Sequence, residues 1–187
     1  VSLWLRFLTT AYTEIFYKMH TMILQQEVAW IEKVIETALN LYFQHDCQYT
    51  AIQEVAPPSV VDETSGYAQL LKKYDLSHEE RILLMPALPP HIKPQALDVF
   101  LTKNKDLDRE FSEFGGVKEE LQRGFIPTLA TANFILGGAN DLEARLGFMK
   151  SLHKDHKLYK NGVLRADHYP IKLREKLQLS DESLNVI

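Results

Sequence analysis

Between Ser77 and Gly138 the chain is punctuated so densely that no long helix or strand can run through it. Proline falls at 86, 89, 90, 94 and 127, and glycine is doubled at 115–116 and 137–138. Proline removes a backbone donor and clashes with the preceding turn, while glycine supplies the left-handed residue that ends a helix. Ser77-x-x-Glu80 is a capping box: the Ser77 hydroxyl accepts from the Glu80 amide and the Glu80 carboxylate accepts from the Ser77 amide. The helix it opens must stop or kink at Pro86. Pro94 suits the first turn of another helix, with Ala96, Leu97, Phe100 and Leu101 on its apolar side. Leu107, Phe111 and Phe114, spaced four and three, predict a further helix stopped by Gly115-Gly116. Thr128 is placed to cap a helix whose Leu129, Ala132, Ile135 and Leu136 face inward and which Gly137-Gly138 ends. Asn140 and Glu143 repeat the cap pattern for a helix reaching about Leu152.

Upstream, Leu24, Val28, Ile31, Ile35, Leu39 and Tyr42 recur at steps of three or four, predicting an amphipathic helix from about His20 to Gln44. Trp30, Val34, Ala38 and Leu41 widen the stripe, so the helix is expected to pack on more than one side. A two-stranded coiled coil is the competing reading, weakened by how few heptads there are. Val1 to Leu8 is apolar but interrupted by Arg6 and too short to span a bilayer. It also lacks the charged start and small-residue cleavage site of a signal peptide. Met19 and Met22 precede the first strongly periodic segment, which makes residues 1–18 an expected upstream extension of a domain covering 19–187. Residues 46–66, with Pro57-Pro58 and Asp62-Glu63-Thr64-Ser65-Gly66, read as a loop, and Tyr67 to Tyr74 as a short helix. Lys118 to Arg123 is charged and expected to be exposed.

The tail changes character. His156 to Asp167 with Asn161-Gly162 at its centre predicts a β-hairpin, because Asn-Gly readily takes a type I′ turn. Lys176 to Leu179 reads as a third short strand, and Ser180-Asp181-Glu182 opens a last helix. Helices closed by a small β wing give the expected fold class: mainly α with a small wing, an α+β, winged-helix-like domain with a C-terminal β-hairpin. A length of 187 residues suits one domain with or without an arm. The net charge of -4 provides no global basic field toward nucleic acid or anionic membrane. The single cysteine, Cys47, excludes a disulfide within the chain and fits a reducing compartment.

The runs E-R-I-L-L-M-P-A-L-P-P-H-I-K-P-Q-A-L-D-V-F, F-S-E-F-G-G-V-K and G-F-I-P-T-L-A-T-A-N-F-I-L-G-G resemble the N-terminal region of a bacterial AAA+ ATPase family common in Bacteroidetes. Members are often encoded beside contractile, phage-tail-like injection systems. The resemblance extends over about Met22 to Ile187. It implies a winged-helix-like domain ahead of an ATPase module, a bacterial cytoplasmic setting, and a regulatory or adaptor role toward a protein partner or neighbouring ATPase subunits. The family usually has Gly-Glu where this chain has Leu129-Ala130, and Ala in place of Pro89. No G-x-x-x-x-G-K-[ST] occurs in the 187 residues, so no loop here can cradle phosphates with a lysine. The resemblance therefore places ATP and Mg in a module beyond Ile187 and no cofactor in this part.

Chemistry-bearing residues are few. His153, His156 and His168 with Asp155 and Asp167 form the one imidazole–carboxylate group; zinc would need a convergent third ligand, and solvated surface histidines are the plainer reading. Cys47 beside His45 and Asp46, and Ser77 beside His78, Glu79 and Glu80, imitate catalytic sets by composition only, since nucleophile and base must converge through the fold. No catalytic or metal residue is assigned. Phe111, Phe114, Phe125, Ile126 and Pro127 would form an aromatic anchor for a protein partner if exposed, and a core seam if buried. Residues 150–176 carry a local excess of basic charge, so a DNA-binding winged helix is the alternative reading. Lys157, Lys160, Arg165, Lys172 and Arg174 would then touch the phosphate backbone. The helix that would read bases, Leu129 to Leu136, has no Arg or Lys and only Asn133 for adenine, which disfavours direct readout.

Overall fold

Residues 2–43 contain neither glycine nor proline, so nothing in the backbone interrupts a helix once it has started. In a computed structural model, α1 runs unbroken over Ser2–Phe43. It begins upstream of the expected His20 and crosses the 18/19 boundary without a break. The structure describes residues 2–60, 65–119, 124–138 and 141–187, and their side chains except at 2–13, 15 and 16. Asp62 to Thr64, residues 120–123 of the expected charged run, and Asn140 lie outside the described residues.

The apolar stripe of α1 faces the core: Val28, Ile31, Ile35 and Leu39 are buried, as are Trp30, Val34 and Ala38 beside them. Leu41 is left 37 % exposed, so the stripe is narrower than its composition implies. Against it pack short pieces: α2 (Gly66–Tyr74), α3 (His78–Leu84), α4 (Pro89–Ile92), α5 (Leu129–Gly137), α6 (Leu142–Ser151), α7 (Lys157–Lys160) and α8 (Asp181–Val186). The Ser77/Glu80 capping box opens α3 as expected, with Ser77 N–H donating to Glu80 Oε2 at 2.8 Å and Glu80 N–H to Ser77 Oγ at 3.2 Å. Pro86 then turns the chain into a 3-10 segment, Met85–Ala87, and Pro94 opens another, Pro94–Leu101, that buries Leu97 and Phe100.

The helix expected over Leu107 to Phe114 is absent. Two strands stand there, β1 (Lys103–Asn104) and β2 (Arg109–Glu110), paired antiparallel, followed by a 3-10 turn at Ser112–Phe114. The reason is local: Asn104 Oδ1 accepts from the Asp106 and Leu107 amides at 2.9 and 3.2 Å, closing an Asx turn that outcompetes a helical start. Leu107 consequently sits at the tip, 58 % exposed. Gly115 and Gly116 do stop the chain with positive φ, 66° and 82°. A Cβ at Gly116 would stand 2.2 Å from the Phe125 ring, so both the angle and the space require glycine.

The expected hairpin at Asn161-Gly162 is also corrected. Lys157–Lys160 is a helical turn, and Gly162 at φ 65° is its left-handed stop. Val163 N–H donates to Leu158 O at 2.8 Å and Gly162 N–H to Tyr159 O at 3.0 Å, the pair of bonds of a Schellman motif. Leu158 and Val163, both buried, supply its hydrophobic contact. A small C-terminal sheet exists nonetheless: β3 (Leu164–Arg165) pairs antiparallel with β4 (Gln178–Leu179), the strand expected near 176–179. Ser180 caps α8 by accepting from the Ser183 amide. Among the described residues the molecule is thus mainly helical, with two small two-stranded antiparallel sheets.

α5 is the central core element, with Leu129, Ala132, Phe134 and Ile135 fully buried. Its first amides are satisfied by the tail: Leu129 N–H donates to Glu175 O at 2.9 Å and Ala130 N–H to Leu173 O at 2.8 Å. Thr128 Oγ1 instead accepts from the Gly116 amide at 3.1 Å, tying the double-glycine turn to the helix start.

A charged pair lies inside the core. Glu27 and Tyr67 are both 0 % exposed. The Tyr67 hydroxyl donates to Glu27 Oε2 at 2.8 Å, and Arg81 pairs with Glu27 Oε1 while its guanidinium lies 5.1 Å from the centre of the Trp30 ring. Burial pushes the Glu27 carboxyl up, and the Arg81 charge and Tyr67 bond only partly offset that. Removing one partner strands a buried charge, so Arg81→Met should cost about 3–5 kcal/mol. Glu27→Leu combined with Arg81→Met should recover most of that loss. Urea unfolding of the single and double variants measures both, and a single variant as stable as the parent would refute the account.

Candidate functional site

The N-terminal turn of α3 and one face of α6 are held apart, and between them lies a cleft of about 580 Å³. Its floor is apolar, formed by Leu83, Leu136 and Phe148. Ser77, Glu79, Glu80 and His156 also line it, with Glu79 exposed. Each arrives for a structural reason. Ser77 and Glu80 are held by the capping box. His156 is the N-cap of α7, its Nδ1 accepting from the Leu158 amide at 3.3 Å, which places the neutral ring's proton on Nε2. That Nε2 lies 3.9 Å from Glu80 Oε1. Lys157, next in the chain, reaches Glu80 Oε2 at 2.7 Å and donates to Asp75 O at 2.7 Å, docking α7 on α3.

The electrostatics follow from these contacts. Partial burial alone would raise Glu80, but the Lys157 bond and charge, the Ser77 amide and His156 together hold its carboxyl below the ordinary range. Burial pushes the half-buried His156 imidazole down, against the pull of Glu80, so the ring is neutral at pH 7. The Ser77 hydroxyl donates to Glu79 Oε2 at 3.1 Å and accepts from the Glu80 amide, so both of its roles are spent on the cap. His78 turns away to Val55 O at 3.1 Å and packs edge-on against Trp30. Serine, histidine and carboxylate are neighbours here without a nucleophile–base contact.

The other candidates separate in space. His156 faces Glu80, His168 Nδ1 pairs with Glu175 Oε1 at 3.2 Å, and His153 Nδ1 accepts from the Asp155 amide at 3.2 Å. Among the described residues no three His, Cys, Asp or Glu side chains come together as a metal group. Cys47 is half-buried, and His45 stacks on Phe43 with ring centres 5.7 Å apart. Of the five apolar residues considered for a partner, Phe114, Phe125, Ile126 and Pro127 are buried and Phe111 is half-buried. They form a core seam: Phe114 lies 4.7 Å from Phe134 and 5.0 Å from Phe111, and Phe125 5.1 Å from Phe100, between ring centres. Of the basic residues, Lys157 holds Glu80 and Asp75, Arg165 Nε bonds Asp167 at 3.1 Å, and Lys160, Lys172 and Arg174 are exposed. Asn133, the one adenine-reading candidate, is 1 % exposed inside the core. Among the described residues no helix is long and apolar enough to cross a membrane.

Sequence reasoning missed the cleft and its most informative residue, Gly147. This glycine sits in the interior of α6, and a Cβ built on it meets nothing within 4 Å. A mid-helix glycine not forced by packing is the signal that could have marked the site.

Two measurements check this geometry. Glu80 has a folded pKa below its unfolded value, so its contribution to stability is present above the unfolded pKa and is lost as pH falls through the folded one. Glu80→Gln should therefore flatten the acid limb of the stability–pH curve below about pH 5. Gly147→Ala should raise stability by about 0.5–1 kcal/mol, since it removes backbone freedom from the unfolded chain without a clash. Thermal unfolding of each variant reads the effect. In comparisons with protein-family models, curated proteins and solved structures, no match to this chain was found.

Proposed function

We propose that this chain is a winged-helix-like regulatory or adaptor domain that precedes the ATPase module of a bacterial, cytoplasmic AAA+ protein associated with contractile injection systems. It binds a protein partner or neighbouring subunits and carries no catalysis of its own, while ATP and Mg belong to the module beyond Ile187. The support is the resemblance of the Ser77–Gly138 block together with how its residues are used. Its serine, prolines and double glycines act as helix starts and stops.

The observation that carries the protein-binding reading is the fate of the two helices after Thr128. α5, which a DNA reader would present to a groove, is sunk in the core. The following helix instead shows Leu142, Leu146 and Met149, spaced four and three on one face, at 69 %, 44 % and 45 % exposure. An apolar helical face of this kind suits protein contact and has no affinity for phosphate. Several basic residues near the tail are already paired within the chain, Lys157 with Glu80 and Lys176 with Glu119 among them.

Calorimetric titration of the full-length protein, and of a form lacking residues 1–187, against the products of neighbouring genes tests the proposal. Binding that requires residues 1–187 is expected; equal binding and unchanged ring assembly without them would sink it. A gel shift over a salt series covers DNA. Phosphate-driven binding would fall steeply with salt, and such a result would favour the DNA-binding winged helix instead.

A further inference from the structure

The cleft between α3 and α6 has a composition that selects a ligand. Its volume, about 580 Å³, lies within the range of about 300–1,000 Å³ typical of ligand pockets. The floor of Leu83, Leu136 and Phe148 offers apolar contact, and Glu79 and Glu80 bring carboxylates to the lining. Glu80 is already neutralised by Lys157 at 2.7 Å, and His156 is uncharged at neutral pH. Glu79 is different: it is exposed and accepts from the neutral Ser77 hydroxyl, and among the described residues no cation pairs with it. The second, independent observation is Gly147. It is exposed on the α6 wall of the cleft, and a Cβ built on it meets no described residue within 4 Å, so the space beside it is open.

We propose that this cleft is a peptide-binding site whose occupant presents a lysine or arginine next to an apolar side chain. The choice of a peptide rests on the adaptor reading above. A lysine or arginine has an apolar stem and a cationic head. The stem lies on the Leu83–Phe148 floor while the head meets the exposed Glu79. The neighbouring apolar side chain enters the opening that Gly147 leaves.

The test is a chemical-shift titration of the 187-residue chain with two probes, acetyl-Leu-Arg-Leu-amide and acetyl-Leu-Glu-Leu-amide. The arginine peptide should give saturable shifts at the Leu83, Gly147, Phe148 and Ser151 amides, and the glutamate peptide much weaker ones. Gly147→Leu, which fills the opening, should abolish the response. Glu79→Gln, at an exposed position that leaves the fold alone, should weaken arginine-peptide binding about 2–5-fold, the size of one exposed charge pair. Absent or scattered shifts, equal binding of both peptides, or binding unaffected by both substitutions would overturn the proposal. If a protein partner binds residues 1–187 while the arginine peptide does not occupy the cleft, the cleft proposal falls and the adaptor reading stands. If the peptide binds and no protein partner does, the reverse holds.

Discussion

The pairing of Glu27 with Arg81 and Tyr67 is the interaction on which the arrangement of the helices depends. It joins the middle of α1 to α2 and α3 at a point where no water reaches the carboxylate. Apolar packing alone would let α1 slide or rotate against its short neighbours, because burial is non-directional. A buried carboxylate with two specific donors has one low-energy position. The guanidinium that serves it also lies over Trp30, and Trp30 Nε1 donates to Val55 O at 2.9 Å. The same group thereby anchors the loop between α1 and α2.

From that anchor the remaining geometry propagates in short steps. Arg81 belongs to α3, whose start is fixed by the capping box. The Glu80 of that box receives Lys157, and Lys157 sets α7 against α3. The C-terminal segment then passes the head of α5, where Leu173 and Glu175 carbonyls receive its first amides. Short helices that could not stand alone are held by caps and cross-links contributed from elsewhere in the chain. The cleft follows from this construction: it lies between α3 and α6, and no described residue comes within 4 Å of a Cβ built on Gly147.

Local chemistry was legible wherever a residue acts within one turn of itself. Ser77 with Glu80, Ser180 at the start of α8, the prolines at 86 and 94 and the double glycines all do structurally what their spacing implies, because a cap or a stop involves only i to i+3 geometry. Reading failed where two local signals compete. Asn161-Gly162 serves a hairpin and a helix stop equally well, and the choice fell to Leu158 and Val163, whose burial closes the Schellman motif. Leu107, Phe111 and Phe114 have helical spacing, but the Asn104 side chain captured the intervening amides first.

The sequence by itself determined many of the caps and stops, that α1 is long and carries an apolar stripe, and that the block after Ser77 would break into short pieces. Tertiary structure alone decided which strands pair, β3 with β4 across a dozen residues, and that α5 is core and not surface. It also decided that His156, distant in sequence from Glu80, would meet it in the lining of a cleft. The division has a physical cause. Caps and stops are settled by backbone groups a few residues apart, whereas pairing, burial and clefts depend on contacts between distant segments, set by the packing of the whole chain.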